Sequence, residues 1–120
     1  MRYFITGGAG FIGSTLTDRL LALGHAVTVY DNFSTGQKQF LEAAQLQKQF
    51  RLVTGDLLDL ALLTKALANH DVVFHLAANA DVRFGTEHPR KDLEQNTLAT
   101  FNLLEAMRRC RPWKTRSRSP

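Results

Sequence analysis

The sequence predicts an α/β fold built on a doubly wound parallel sheet, incomplete at one side, with strand order 3-2-1-4 and helices on both faces. Three observations predict it. A glycine-rich turn joins an apolar run to an amphipathic one near the start; apolar strand-like runs then alternate with helix-like stretches; and the fourth run is apolar along both faces, as a buried parallel strand should be.

Taken in order, Tyr3-Phe4-Ile5 is the first strand and the stretch ending at Leu23 the first helix, with Gly24 as its C-terminal stop. Ala26-Val27-Thr28-Val29-Tyr30 is the second strand and ends in Asp31. Residues 37–48 are polar, with Phe40, Leu41 and Ala44 on one side, and predict a modest surface helix. Residues 50–54 form the third strand, closed by Gly55-Asp56, and Asp59 can cap a helix through Asn69 in which Leu60, Leu63 and Leu67 recur at helical spacing. Asp71-Val72-Val73-Phe74-His75-Leu76 is the fourth strand. A loop over 77–87 precedes Pro89, which suits the first turn of a long helix reaching Arg109. Strand and helix in this alternation imply right-handed crossovers.

The turn Thr6-Gly7-Gly8-Ala9-Gly10-Phe11-Ile12-Gly13-Ser14 fits two spacings, G-x-G-x-x-G through Gly8, Gly10 and Gly13 and G-x-x-G-x-x-G through Gly7, Gly10 and Gly13. Its place between strand and helix makes it a dinucleotide-binding loop of Rossmann type rather than a plain glycine turn. The first glycines allow a sharp turn, Gly10 leaves room for a pyrophosphate, and Gly13 lets helix and strand pack closely. Free N–H groups and the positive end of the helix dipole face the anion. Asp31 lies 18 residues beyond Gly13, at the tip of the second strand. A carboxylate there accepts hydrogen bonds from both ribose hydroxyls of an adenosine and repels a 2′-phosphate, so NAD is favoured over NADP. The nearest following cation is Lys38. The plainer reading of Asp31 is a turn or cap residue before Asn32.

At 120 residues the chain has room for one domain and none for a separate substrate domain. No stretch approaches the ~18 consecutive apolar residues of a membrane span, and the expected setting is cytoplasmic. The single Cys110 cannot form an internal disulfide, and His25, His70, His75 and His88 are scattered without metal-ligand spacing. The net charge of +4 belongs to the end of the chain: residues 108–120 hold 6 of the 15 Lys and Arg and none of the 11 acids, leaving 9 basic against 11 acidic residues before them, a net of −2. Residues 1–109 are therefore read as a nucleotide-binding domain and 110–120 as a basic, unstructured tail. With one aromatic and no interleaving, that tail is a weak basis for nucleic-acid binding.

On these motifs the chain resembles the extended short-chain dehydrogenase/reductases, in particular the NAD-dependent nucleotide-sugar epimerases and dehydratases. The resemblance covers residues 1–108. It rests on the glycine turn, Asp31-Asn32-Phe33-Ser34-Thr35-Gly36, Gly55-Asp56-Leu57, His75-Leu76-Ala77-Ala78, and Asn96 within the last helix. It implies that Phe11 and Ile12 offer backbone amides to the pyrophosphate and that Asp31 holds the adenosine ribose with Asn32 and Ser34 beside it. It also implies that Asp56 and Leu57 flank the adenine, and that Leu76, Ala77 and Ala78 line the nicotinamide side. Physical chemistry agrees. Asp56 can accept from an exocyclic amino group, Leu57 gives the ring a dry wall, and the two alanines are small enough for a flat ring to lie against backbone. Plainer readings stand beside these: Asp56 as a helix cap and the alanines as tight packing. Asn96, intrinsically unfavourable inside a helix, is expected to bond backbone near Ala77 and steady that loop. His75 reads as a satisfied core histidine rather than an acid–base group.

The family's catalytic Tyr-x-x-x-Lys pair, expected on a fifth strand and the helix after it, does not occur. Tyr3 and Tyr30 are followed four residues later by Gly7 and Ser34. An unassisted phenol of pKa near ~10 is a poor base at neutral pH. Three readings follow. The chain is the NAD(H)-binding part of an enzyme that transiently oxidises a sugar hydroxyl, its nucleotide-sugar substrate and catalysis requiring further sequence after a frame disrupted near Cys110. Or it is a non-catalytic NAD(H)-binding module, its basic tail docking a partner; or an anion binder through that tail. A Tyr-x-x-x-Lys encoded just downstream would select the first. The helix over 89–109 is further expected to expose an apolar stripe, Leu93, Thr97, Phe101 and Leu104, suited to a homodimer.

Overall fold

The computed structural model describes residues 1–77, 87 and 89–110. Its four strands are β1 (Arg2–Thr6), β2 (Ala26–Asp31), β3 (Phe50–Thr54) and β4 (Val72–His75), all parallel, in the order β3-β2-β1-β4. The register aligns Thr6 with Tyr30 and with His75, and Asp31 with Thr54, so the carboxyl ends of all four strands share one edge of the molecule.

Alternation along the strands divides the core into two layers. Ile5, Val27 and Val29 face α1 (Phe11–Ala22) and the segment of Lys38–Leu41 and α2 (Glu42–Gln45), where Leu20 and Leu41 are buried. Phe4 and Tyr30 face α3 (Leu60–Leu67) and α5 (Ala99–Arg109), whose Leu63, Leu67, Leu103 and Ala106 close that side. β4 pairs only with β1 among the described residues, and all four of its residues are half-buried rather than enclosed.

Three elements differ from expectation. The surface helix over 37–48 is a short 3₁₀ turn followed by one turn of α-helix, with Leu41 and Ala44 buried as its pattern required. The helix capped by Asp59, whose carboxylate accepts the Leu62 N–H at 3.1 Å, ends at Leu67 rather than Asn69. The chain turns extended at Ala68 and left-handed at Asn69 (φ 66°), and the His70 ring takes the freed carbonyls of Leu67 and Ala68 at 2.9 and 3.0 Å. The last helix runs from α4 (Pro89–Leu93) through one π turn (Glu94–Leu98) into α5. Asn96 lies in that π turn, where the Thr100 hydroxyl donates to its carbonyl at 2.9 Å and helps hold the widened backbone.

Candidate cofactor site

β1 ends at Thr6, and the backbone reverses at Gly7 with φ 72°, in the region that favours glycine. A Cβ on Gly7 would lie 2.7 Å from the Ala77 amide nitrogen, so a side chain would collide with the backbone leaving β4. Gly13 is equally constrained: a Cβ there would run into the Gly7 carbonyl and the Cα of Gly8. Gly10 differs, since its added Cβ would meet only the Gly7 oxygen, at 3.4 Å, and otherwise faces open space. Two glycines thus let the loop fold tightly and the third keeps its outer face clear, the shape a pyrophosphate needs.

At the start of α1 no side chain caps the helix and the first turn carries no acid. The N–H groups of Phe11 and Ile12 lie where no preceding helical carbonyl can take them, while their side chains are 78 % and 70 % exposed. An uncapped helix start of this kind is a ready donor set for an anion.

Asp31 faces this loop from the tip of β2. Its Oδ2 accepts the Ala9 N–H at 3.0 Å and its Oδ1 the Phe33 N–H at 2.8 Å, tying the glycine turn to the next loop. Each oxygen keeps a second lone pair, so the ribose role is compatible with the turn role. Phe33 sits at φ 60°, uncommon for an aromatic residue, with the Lys38 ammonium 5.7 Å from its ring centroid. The Asn32 side chain accepts the Ser34 N–H at 2.9 Å. Gly36 then lies against Ala9, 2.8 Å from its Cβ if a Cβ were added, and the Gln37 N–H donates to the Ala9 carbonyl at 3.1 Å.

On the other flank, the Tyr30 hydroxyl donates to the Asp56 carbonyl at 2.6 Å, while Asp56 Oδ1 accepts the Leu58 N–H at 2.9 Å. Burial pushes the Tyr30 phenol up to about 12, helped by the negative charges of Asp59 and Asp56. Tyr30 therefore acts as a structural donor. Leu57 is buried under this loop, and the Asn102 amide on α5 holds its carbonyl at 3.0 Å.

These pieces close on one cleft of about 110 Å³ at the carboxyl edge of the sheet, walled by Gly7 and Gly10, by Asp31, Asn32 and Ser34, and by Leu57, Leu76 and Ala77. Thr35, Gly36 and Gly55 complete it, without a role predicted from the sequence. Gly55 could have been found from its position between strand and helix: a Cβ there would meet the Tyr30 hydroxyl at 2.7 Å. Phe11, Ile12, Gly13 and Asp56 are not among the lining residues; the first three follow Gly10 at the start of α1, and Asp56 lies between Gly55 and Leu57 in sequence. Ala78 lies outside the described residues. Asn96 is not among the cleft-lining residues; it is linked to this region through the backbone.

That link runs through His75. The Thr100 hydroxyl is committed as donor to the Asn96 carbonyl, so at 3.0 Å it must accept from His75 Nε2–H. The opposite nitrogen, Nδ1, then accepts from the Thr6 hydroxyl at 2.6 Å, and Thr6 Oγ1 in turn accepts the Ala77 N–H at 3.3 Å. The chain of donors has one direction and requires a neutral imidazole. Burial lowers the His75 pKa, in agreement. His75 is thus a half-buried histidine with both ring nitrogens bonded, and its partners join the backbone after β4 to the π turn.

Comparison with known proteins places this architecture. Residues 3–117 match the model of the NAD dependent epimerase/dehydratase family. A UDP-glucose 4-epimerase of Mycolicibacterium smegmatis is 44 % identical over 110 residues, covering 90 % of this chain and 35 % of that protein. The crystal structure of a UDP-glucose 4-epimerase from Thermus thermophilus in complex with NAD superposes with a TM-score of 0.81 at 39 % identity, over 92 % of this chain and 34 % of the other. A dTDP-glucose 4,6-dehydratase from Streptomyces venezuelae with NAD bound reaches a TM-score of 0.86 at 32 % identity, over 92 % and 36 %. The chain spans about a third of the length of these relatives. It belongs to the NAD-dependent epimerase/dehydratase family and corresponds to its N-terminal, nucleotide-binding portion.

Proposed function

We propose that this chain is the NAD(H)-binding portion, residues 1–109, of a nucleotide-sugar epimerase or dehydratase, and that residues 110–120 form a basic tail outside that unit. The observation that carries the reading is the convergence of an uncapped helix start and the Asp31 carboxylate on one cleft at the carboxyl edge of a parallel sheet. The glycine turn and the first turn of α1 hold the pyrophosphate, Asp31 the adenosine ribose with Asn32 and Ser34 beside it, Asp56 and Leu57 the adenine, and Leu76, Ala77 and Ala78 the nicotinamide side. A cleft of about 110 Å³ accommodates only part of a dinucleotide, so the remainder lies across the open edge. NAD, when bound, accepts and returns a hydride at the sugar. The residues of this chain bind and orient it, while the Thr6–His75–Thr100 chain steadies the backbone under its reactive end.

Proton transfer is assigned elsewhere. Neither tyrosine has a lysine four residues on, and Tyr30 is buried and bonded to a carbonyl. The chain alone is therefore read as inactive toward nucleotide sugars, in a cytoplasmic setting. The second reading, a non-catalytic NAD(H)-binding module, rests on the same cofactor cleft. Leu93, Phe101 and Leu104 are 50 %, 63 % and 60 % exposed along one side of the last helix, with Thr97 also exposed between them. We assign this stripe to a homodimer contact. Calorimetry with NAD, NADH and NADP tests the binding reading: tighter binding of NAD(H) is expected, and equal affinity for NADP would refute the role of Asp31. Turnover of a UDP- or dTDP-sugar by the purified chain, abolished by a point change within it, would refute the inactivity.

A further inference from the structure

The opposite edge of the sheet carries a second hollow. It has about 520 Å³ of space and opens at the amino-terminal ends of β1, β2 and β3, just beyond the C-terminus of α3. Four residue steps along β1 at ~3.3 Å each put it about 13 Å from the cofactor cleft. Arg2 from the start of β1, Lys48 from the turn before β3 and Arg51 from β3 line it, with Gln49 and Asn69 adding neutral amides. Among the described residues, no carboxylate lies within ion-pair distance of these three cationic side chains.

The local charge is not cancelled by the fold. The end of α3 contributes about half a negative charge, and part of it is already answered by the His70 ring on the Leu67 and Ala68 carbonyls. One carboxylate beside it, Asp71, accepts the Arg2 backbone N–H at 2.8 Å. Counting that full charge and the helix end against three cations still leaves an excess of roughly 1.5 positive charges. His70 adds none at neutral pH: with Nδ1–H on those carbonyls, its Nε2 accepts the Thr28 hydroxyl at 2.8 Å, and burial lowers its pKa. The hollow has room for more than one phosphate and is bordered by cations from two segments, the start of β1 and residues 48–51.

We propose that this hollow is a second anion site, distinct from the cofactor cleft, that takes a small polyphosphate through Arg2, Lys48 and Arg51. The test uses the full chain at low ionic strength, saturated with NAD, and titrates it with sodium tripolyphosphate by calorimetry, with sodium sulfate at matched ionic strength as control. Saturable tripolyphosphate binding that sulfate does not reproduce is expected, weakened about tenfold or more in the Lys48→Glu/Arg51→Glu double variant, in line with two charge reversals near the ligand. Both side chains are exposed, so the variant should keep the parent's circular dichroism and NAD affinity. Absence of binding, loss of binding on NAD saturation, or unchanged affinity in the double variant, as attachment to the basic residues beyond Arg109 would give, each overturns the proposal. If the chain binds no NAD, the cofactor reading fails, while dependence on Lys48 and Arg51 still decides this one.

Discussion

Acidification should destabilise this protein through two histidines on one face of the sheet. His70 and His75 are each held neutral by geometry: Nδ1–H of His70 serves the end of α3 while its other nitrogen accepts from Thr28, and His75 accepts from Thr6 while donating to Thr100. Burial lowers both pKa values from the ordinary 6.5. Below that value the unfolded chain binds protons that the folded chain refuses, so stability is complete above about pH 6.5 and falls as pH drops from there toward the folded pKa values. The limiting slope for one such group is about 1.4 kcal/mol per pH unit, and water around the half-buried rings reduces it to on the order of 0.5–1 each.

Urea unfolding followed by circular dichroism at pH 7.5, 6.5, 6.0 and 5.5 measures this slope directly. His75→Phe should remove its share below pH 6.5. At pH 7.5 it should cost about 1–3 kcal/mol, because the fully buried Thr6 hydroxyl loses its acceptor. Adding Thr6→Val removes that orphaned donor but also the acceptor of the Ala77 N–H, so it should recover only part of the loss. A flat pH profile in the parent, or a His75→Phe variant with the parent's slope, would refute the neutral-imidazole assignment.

Asp31→Ala should shrink the preference for NAD over NADP by ~1–3 kcal/mol, as ribose hydrogen bonds and repulsion of a 2′-phosphate disappear together; parallel calorimetric titrations read the difference. Gly13→Ala should abolish NAD binding or folding, because its Cβ meets backbone rather than a movable side chain; circular dichroism separates the two outcomes. Tyr30→Phe should cost about 1 kcal/mol of stability, measured by urea unfolding, and weaken NAD modestly by releasing the Asp56 carbonyl.

The parallel order β3-β2-β1-β4 was legible in the sequence because short, mostly apolar strand-like runs alternate with connections that contain helix-period leucines or alanines. The glycine turn and Asp31 were legible for a different reason: close approach and a fixed carboxylate restrict residue type at single positions. What could not be read depends on partners distant in sequence. His70 lies only three residues from Leu67, but its ring is also held by the Thr28 hydroxyl, 42 residues away in sequence. Nothing near Thr97 announces a π turn. Thr6 reads in the sequence only as the first residue of the glycine turn, and its role appears only when β4 and the last helix bring together Thr6, His75 and Thr100, 69 and then 25 residues apart in sequence.

The same distinction explains why the cofactor half of the chemistry is visible in this chain and the substrate half is not. On the proposed reading, the pyrophosphate and ribose contacts are backbone amides, glycines and one carboxylate from the first two strands and the helix between them, so that part of the record is local. At that edge the described part of β4 leads into Leu76 and Ala77. An epimerase and a dehydratase match this chain with nearly the same fold, at TM-scores of 0.81 and 0.86. On the proposed reading, this portion fixes where the cofactor lies, and a fold shared with both relatives does not by itself distinguish their reactions.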